Sequence, residues 1–259
     1  MDSNKQKIID LFISNLKGKT PTGDGRNPRH DGAAGHWVEE AMGLRVNGEN
    51  RPDIYGYEMK SITSAKFTYG DWQADEYIYR KSRGPLNKLN IHYVLDRDNF
   101  LEIFGQFNQT KHRYSWSGTP CPQFYNQETI YGQKLFIDDN EDIVITYSFD
   151  KDQRPDKSSI IPIDLQKNNL IIARWFKDEQ KKRLERKFND KGWFTFERDH
   201  SGRYTKICFG NPITYEVWID YFKNGNVFFD SGMYQGNQRP YATWRSVNSF
   251  MRSLIVEKY

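Results

Sequence analysis

Cysteine is scarce in this chain: of 259 residues, only Cys121 and Cys208 are cysteines, and they lie in separate segments. Two isolated cysteines argue against a disulfide framework and against a cysteine-rich zinc site. Such sparse use of cysteine is typical of proteins that work in a reducing compartment, so we expect a cytoplasmic protein.

Long apolar runs are missing as well. Nowhere do about eighteen apolar residues follow one another, so the sequence predicts no membrane-spanning helix and no membrane partner. No apolar run follows the polar N-terminus, and no signal peptide is expected. Also absent are the zinc-protease pattern His-Glu-x-x-His, the P-loop pattern Gly-x4-Gly-Lys-Ser/Thr and the hydrolase elbow Gly-x-Ser-x-Gly.

The excess of positive charge is small. A formal net charge of +4 does not by itself indicate a nucleic-acid partner. The aromatic content of 15% is more informative. Tyrosine and tryptophan bury apolar area while keeping a hydrogen-bonding edge, so this content suits either a core or a recognition surface.

Two acidic residues and a lysine follow one another closely in the segment 52–60. The period-two pattern of residues 55–63 predicts a β-strand, on which Glu58 and Lys60 point to one face. Asp53 precedes a bend expected at Gly56 and can swing towards that face. Carboxylate oxygens are ligands that Mg²⁺ prefers, and a lysine can orient or help to deprotonate an attacking water. The alternative is a solvated strand face with a weak Glu–Lys contact.

This segment resembles the catalytic motif of the PD-(D/E)-x-K nucleases, here as Pro52-Asp53 followed by Glu58-Met59-Lys60. Upstream, residues 35–44 resemble the helix that precedes the motif in the MutH-like branch. In that branch a helical glutamate lies four residues before a glycine and fourteen before the motif aspartate. Glu39 meets both spacings in this sequence.

Two later segments, residues 206–210 and 230–239, are similar to the C-terminal region of the MvaI/BcnI-type restriction endonucleases, which are MutH relatives. The resemblance implies an α/β (α+β) fold, with a mixed sheet flanked by helices and a second, DNA-recognition lobe that forms a cleft. It implies Mg²⁺-dependent cleavage of double-stranded DNA at a short (pseudo)palindromic site, with Mn²⁺ as a substitute ion. It further implies a monomeric enzyme and a companion DNA methyltransferase that protects the host genome.

The resemblance also implies roles for individual residues. Asp53, Glu58 and the Met59 carbonyl would hold the Mg²⁺ ion. Lys60 would position the attacking water, and Glu39 would act through a second metal or from the outer shell.

Candidate DNA-binding residues occur in two polar loops. The glycine-rich stretch 17–35 carries Arg26 and Arg29, which would follow a phosphate backbone; the alternative is a flexible surface loop. The other polar loop, residues 230–240, carries arginine and amide side chains of the kind that pair with guanine and adenine, although such loops are often only solvated. The candidates for base or backbone contacts are Gln235, Asn237 and Arg239 in this loop, and Arg245 after it.

The domain organisation is predicted from the polar stretch 150–159, which resembles a linker. It would separate a catalytic lobe, 1–155, from a DNA-recognition lobe, 156–259, although the lobes could interleave. Residues 193–198, 204–209 and 215–222 alternate and predict an antiparallel sheet, with a hairpin at Asn224-Gly225. Helices are expected at 3–17, at 175–189, whose cations could contact phosphate, and at 241–256.

Two other functions remain open from the sequence. A MutH-like repair enzyme that nicks one strand would have the same active site. A non-catalytic DNA-binding module would use the second half of the chain and keep the acidic cluster as a structural feature.

Overall fold

The computed structural model describes residues 2–21, 33–44, 50–60, 66–79 and 96–259. None of the helices in these ranges combines the length and apolar composition needed to span a bilayer. The helices are α1 (Ser3–Asn15), α2 (Ala33–Ala41), α3 (Arg97–Phe104), α4 (Lys157–Ile160), α5 (Lys177–Phe188), α6 (Tyr215–Lys223) and α7 (Asn248–Ser253).

Fourteen strands are described in the same ranges. They are β1 (Tyr57–Met59), β2 (Lys66–Asp71), β3 (Glu76–Tyr77), β4 (Gln106–Asn108), β5 (Arg113–Trp116), β6 (Tyr131–Ile137), β7 (Ile143–Asp152), β8 (Leu170–Trp175), β9 (Gly192–Arg198), β10 (Tyr204–Gly210), β11 (Phe228–Ser231), β12 (Met233–Tyr234), β13 (Ala242–Val247) and β14 (Ile255–Lys258).

The chain divides into two compact units that are interleaved in sequence. The first comprises Met1–Phe67, Arg183–Tyr215 and Val247–Tyr259, and the second Thr68–Lys182 and Glu216–Ser246. A single boundary at residue 155 does not describe this division. The physical reason is strand pairing, because β1 pairs with β9 and β10 pairs with β14, which joins both ends of the chain in one sheet. Which unit cleaves and which recognises DNA remains a prediction.

The first unit is built on a four-stranded sheet in the order β1-β9-β10-β14. β1 runs parallel to β9, and the other neighbours are antiparallel. The buried faces of α1 and α2 supply Ile8, Phe12 and Val38 to one apolar cluster with this sheet, and Met42, directly after α2, joins them. That cluster also contains Met59, so the segment of the predicted motif is anchored in a core.

The second unit contains the remaining three sheets, in the orders β11-β13-β2, β12-β5-β4 and β3-β8-β7-β6. Its interior is strongly aromatic. Trp244 lies with its ring centroid 5.4 Å from that of Trp175 and 5.2 Å from that of Trp218, and all three side chains are buried. The high aromatic content of the sequence is therefore used largely in a core.

One predicted strand is wrong: residues 215–222 lie in helix α6. Tyr215, Trp218 and Phe222 are buried at helical spacing, while Val217 is exposed. The expected hairpin is the end of this helix, where Gly225 has φ +75 and donates its N–H to Phe222 O at 3.0 Å. A glycine with positive φ can end a helix or form a hairpin turn, and Gly225 ends helix α6.

The predicted final helix 241–256 is also wrong. The segment forms β13, the short helix α7 and β14. The two strands form because they pair with β11 and β10, which come from other parts of the chain, and this pairing outweighs the local helical pattern. The proposed linker 150–159 is wrong too. Its first three residues complete β7, its last three lie in α4, and Asp152 forms a buried ion pair with Arg154 at 2.7 Å.

Candidate active site

A tight turn brings Asp53 back beside the strand that follows it. Tyr55 and Gly56, at the centre of the turn, have φ of 50° and 86°. Ile54 and Tyr57 exchange backbone hydrogen bonds across it, at 3.1 and 2.8 Å. Two consecutive positive φ values are the signature of a type I′ turn, which usually needs glycine in its second central position. The bend expected at Gly56 is thus present.

The carboxyl group of Asp53 is held by this reversal. Its Oδ2 accepts a hydrogen bond from the backbone N–H of Met59 at 2.9 Å. Met59 itself turns its side chain into the apolar cluster. The next residue, Lys60, donates its backbone N–H to Phe194 O at 2.9 Å, so the strand is fixed on both sides of Glu58.

Glu58 lies at the centre of a charged cluster. Its side chain is 1% exposed, and its Oε1 lies 2.7 Å from Lys60 Nζ and 3.1 Å from Lys187 Nζ. Its other oxygen, Oε2, is buried and has no hydrogen-bond partner among the described residues. A buried carboxylate oxygen without a donor is costly unless a cation or proton satisfies it.

The electrostatic environment shifts the pKa of the other members. Although Asp53 is exposed as a whole residue, desolvation of its carboxyl group and the nearby Glu58 charge raise its pKa to about 6. Burial opposes the charge of Lys60, but the Glu58 carboxylate outweighs it and raises the lysine pKa. Burial and the charge of Lys60 lower the pKa of Lys187. A bound divalent cation would reverse the shift of Asp53 by favouring its charged form.

These residues fit a hard divalent cation. Asp53 and Glu58 supply carboxylate oxygens close together, and the unpartnered Oε2 of Glu58 is a ligand atom in need of a positive partner. Within the described ranges no group of three or more His, Cys, Asp or Glu side chains is placed to hold a metal. The remaining ligands would have to be water, a backbone carbonyl or phosphate oxygens, which is the usual pattern for Mg²⁺.

Glu39 lies on α2, one residue after the buried Val38. Its Oε2 is 3.3 Å from His36 Nδ1, one helical turn away, and both side chains are substantially exposed. The described contacts of Glu39 do not include Asp53, Glu58 or Lys60. The structure therefore joins three of the four predicted catalytic residues and leaves the role of Glu39 as a prediction.

Two of the predicted DNA-binding residues are engaged by the protein backbone. Gln235 Oε1 accepts from the Tyr114 N–H at 2.8 Å. Asn237 is buried, and its Oδ1 accepts from the Tyr234 N–H at 2.6 Å. The first bond ties the turn after β12 to strand β5, and the second closes the turn itself. The amide oxygens therefore have a structural purpose, and a role of these residues in DNA contact stays a prediction.

The predicted arginines of the same region are paired with acids. Arg239 lies 2.8 Å from Asp71 Oδ2, with 52% of its side chain exposed. Arg245 Nε lies 3.3 Å from Asp230 Oδ2. Both arginines keep a solvent-accessible part, 52% of the side chain for Arg239 and 31% for Arg245, so both guanidinium groups remain candidates for phosphate or base contacts. Arg26 and Arg29 lie outside the described residues.

Sequence reasoning did not single out Lys187 as part of the cluster. It was one cation among several in the helix that the structure gives as α5. A signal was present, since Leu184 and Phe188 form the buried stripe and Lys187 lies three residues after Leu184, at the edge of that stripe.

Known restriction endonucleases resemble this chain over most of its length. The model of the LlaMI restriction endonuclease family matches residues 16–259. The chain is 47% identical to the type II restriction enzyme ScrFI of Lactococcus lactis subsp. cremoris over 271 aligned positions, covering 99% of both chains. In fold it is similar to the restriction endonuclease MvaI solved with its cognate DNA, with a TM-score of 0.57, 11% identity and coverage of 98% of this chain and 95% of that one.

The fold comparison confirms the predicted likeness to the MvaI type. Because the 47% identity to ScrFI extends over 99% of both chains, it is not a chance match of short motifs. The family match and the identity to ScrFI together show that this chain belongs to the LlaMI restriction endonuclease family and is a type II restriction endonuclease.

Proposed function

We propose that the chain hydrolyses phosphodiester bonds of double-stranded DNA at a short, (pseudo)palindromic sequence, with Mg²⁺ held by Asp53, Glu58 and the Met59 carbonyl. The observation that carries the proposal is the buried, unpartnered Oε2 of Glu58, next to Asp53 and Lys60. Mn²⁺ is expected to substitute for Mg²⁺, because both accept oxygen ligands in octahedral geometry.

In the reaction, a water oxygen forms a bond to phosphorus in line with the departing oxygen, and the phosphorus–oxygen bond on the opposite side breaks. The strand end that keeps the phosphorus becomes a phosphate. The attacking water releases a proton, and the departing oxygen takes up one proton to become a hydroxyl. Mg²⁺, when bound, supplies Lewis-acid stabilisation of the negative charge that develops on the phosphate.

The side chains of the site supply the remaining functions. Asp53 and Glu58 fix the position of the cation against the scissile phosphate. The Lys60 ammonium group, 2.7 Å from Glu58, orients the attacking water and offsets charge on the phosphate oxygens. Glu39 acts from the outer shell or through a second cation.

DNA is bound by Arg26 and Arg29 of the loop 17–35, by Arg239 of the loop 230–240 and by Arg245 of β13. Gln235 and Asn237 shape the second loop. The solved complex of MvaI contains its cognate DNA, which supports a duplex as the partner. We expect a monomer that acts in the cytoplasm, where free buried cysteines such as Cys121 and Cys208 persist. A companion methyltransferase protects the host genome.

The test is digestion of long, mixed-sequence DNA with the purified chain and Mg²⁺, followed by sequencing of the fragment ends. Discrete double-strand ends that share one short sequence are expected. Nicked circles without linear product would instead support a strand-nicking repair enzyme. Specific retention of DNA in a gel with no cutting in any divalent cation would support a binding module, provided the salt concentration is stated.

A further inference from the structure

Two lysines share one oxygen of Glu58. Lys187 Nζ lies 3.1 Å from Oε1, and Lys60 Nζ lies 2.7 Å from the same atom. Only 17% of the Lys187 side chain and 19% of the Lys60 side chain are exposed. Two ammonium groups against a single oxygen repel one another, and one of them would suffice for an ion pair.

The position of Lys187 is imposed by the fold. The side-chain amide of Asn50 donates to Arg183 O at 2.7 Å, and Glu185 Oε1 accepts from the Tyr215 N–H at 3.0 Å. Leu184 is fully buried in the same part of α5. The last turn of the helix is therefore held in place, and the Lys187 side chain leaves a fixed backbone towards Glu58.

Burial of Glu58 explains what a second lysine adds. With its side chain 1% exposed, Glu58 would become an uncompensated buried charge whenever Lys60 moved away from it. A lysine that must neutralise a carboxylate cannot at the same time turn its hydrogen-bond donors to water or phosphate. With Lys187 in place, Oε1 keeps a partner while Lys60 turns.

We infer that Lys187 is a positioning residue of the cleavage reaction: it holds Oε1 of Glu58 and thereby releases Lys60 to act on the attacking water. The inference rests on the proposed function and adds a residue to it. Lys187 touches neither the water nor the phosphate in this role and acts through Glu58.

The experiment compares wild type, Lys187→Met and Lys187→Arg by single-turnover cleavage at saturating DNA and Mg²⁺. Lys187→Met should cleave at least tenfold more slowly, and Lys187→Arg, which keeps a donor to Oε1, within about fivefold of wild type. Mn²⁺ binding to the protein without DNA, followed by the electron paramagnetic resonance of free Mn²⁺, is the second readout. Because Lys187→Met removes a positive charge beside Glu58, it should bind Mn²⁺ about three- to tenfold more tightly.

The matched control is Lys5→Met. Lys5 also pairs with a glutamate, at 2.7 Å from Glu257 Oε1, and its side chain is 16% exposed. Its described contacts, with Glu257 and the Phe209 ring, include none of Asp53, Glu58, Lys60 or Lys187, so cleavage and Mn²⁺ binding should stay within twofold of wild type. Melting temperatures of both methionine variants establish how much stability each ion pair contributes.

Slower cleavage combined with tighter Mn²⁺ binding supports the inference. Damage to the fold would instead slow cleavage and weaken Mn²⁺ binding together. An unchanged rate for Lys187→Met, or a lower rate with weaker Mn²⁺ binding, overturns it. These results are distinct from failure of the proposed function, in which wild type cuts no DNA in any divalent cation and the role of Lys187 falls with it.

Discussion

The Asp53 carboxyl group is hydrogen-bonded to the Met59 backbone N–H at 2.9 Å, across a turn of which both central residues have positive φ. The two carboxylates of the site therefore meet by a local reversal of the chain. A metal site formed in this way depends on the geometry of a few consecutive residues, and on the charge state of Asp53 within them.

Replacing Asp53 by asparagine should stabilise the metal-free protein at neutral pH. The pKa of Asp53 is raised to about 6 in the folded chain. A raised carboxyl pKa contributes stability that is full below the unfolded value, near 3.8, and is lost as the pH rises through 6. Asparagine stays neutral, so the advantage of Asp53→Asn should grow above pH 4 and level off above pH 6. Allowing for solvent screening, we expect about 1 kcal/mol.

This effect is measured by thermal melting in EDTA between pH 4.5 and 8, where it corresponds to roughly 2–4 °C. The same variant should have lost cleavage. An equal melting temperature for both proteins at every pH would show that Asp53 keeps an ordinary pKa.

Substituting Gly56 by alanine should damage both folding and activity. Gly56 has φ +86, and a Cβ there would lie 2.4 Å from Asp190 Oδ2. The matched control is Gly18→Ala, because Gly18 has φ +79 and nothing within 4 Å of such a Cβ. Each variant should lose about 1 kcal/mol of unfolding free energy because alanine is strained at a positive φ. Gly56→Ala should lose more, because its Cβ would also clash with Asp190. Only Gly56→Ala should also slow cleavage, measured by single-turnover assay at a temperature where both are folded.

Lys60→Ala should abolish cleavage and leave DNA binding largely intact. Its ammonium group is the one that would orient the attacking water, so a rate loss of about a thousandfold or more is expected. DNA affinity, measured in Ca²⁺ at fixed salt, should change by less than about tenfold because a single cation contributes little to total phosphate contacts. Cutting of plasmid at the wild-type rate would remove Lys60 from the mechanism.

Asn237→Ala and Arg239→Ala should separate folding from recognition. Asn237 is buried and secures a turn, so its loss should reduce unfolding free energy by about 1–2 kcal/mol. Arg239 is exposed and paired only with Asp71 among described acids, so its loss should leave stability within about 0.5 kcal/mol. Arg239→Ala should weaken DNA binding, and the dependence of affinity on salt distinguishes a phosphate contact, which reduces the slope by about one, from a base contact. Unchanged affinity would exclude Arg239 from the interface.

The motif region was predictable because its information is local. Alternation from residue 55 onward, the glycine at 56 and the spacing of Asp53, Glu58 and Lys60 all belong to one short segment. The turn, the strand and the convergence of these three residues follow from it.

Features that depend on distant segments were not predictable from patterns. Helix α6 was mistaken for a strand because Tyr215, Trp218 and Phe222 are interrupted by other apolar residues, so both periods fit. The spacing from Leu184 places Lys187 at the edge of the buried stripe of α5, but its contact with Glu58 depends on the tertiary packing of that helix. The amides of Gln235 and Asn237 have the chemistry of base readers, yet backbone donors within the protein already occupy their oxygens.

The parallel pairing of β1 with β9 has a consequence for the cell that makes this enzyme. Among the strands that the structure describes, the one beside Glu58 is β9, and it is absent until Trp193 and Phe194 have left the ribosome. A nascent or prematurely terminated chain that ends before Trp193 carries the whole motif but lacks the strand that fixes it in a sheet. A chain that ends before Lys187 lacks that residue of the cluster as well. Incomplete translation products should therefore be harmless to the chromosome, which matters for a protein whose activity damages any unprotected DNA around it.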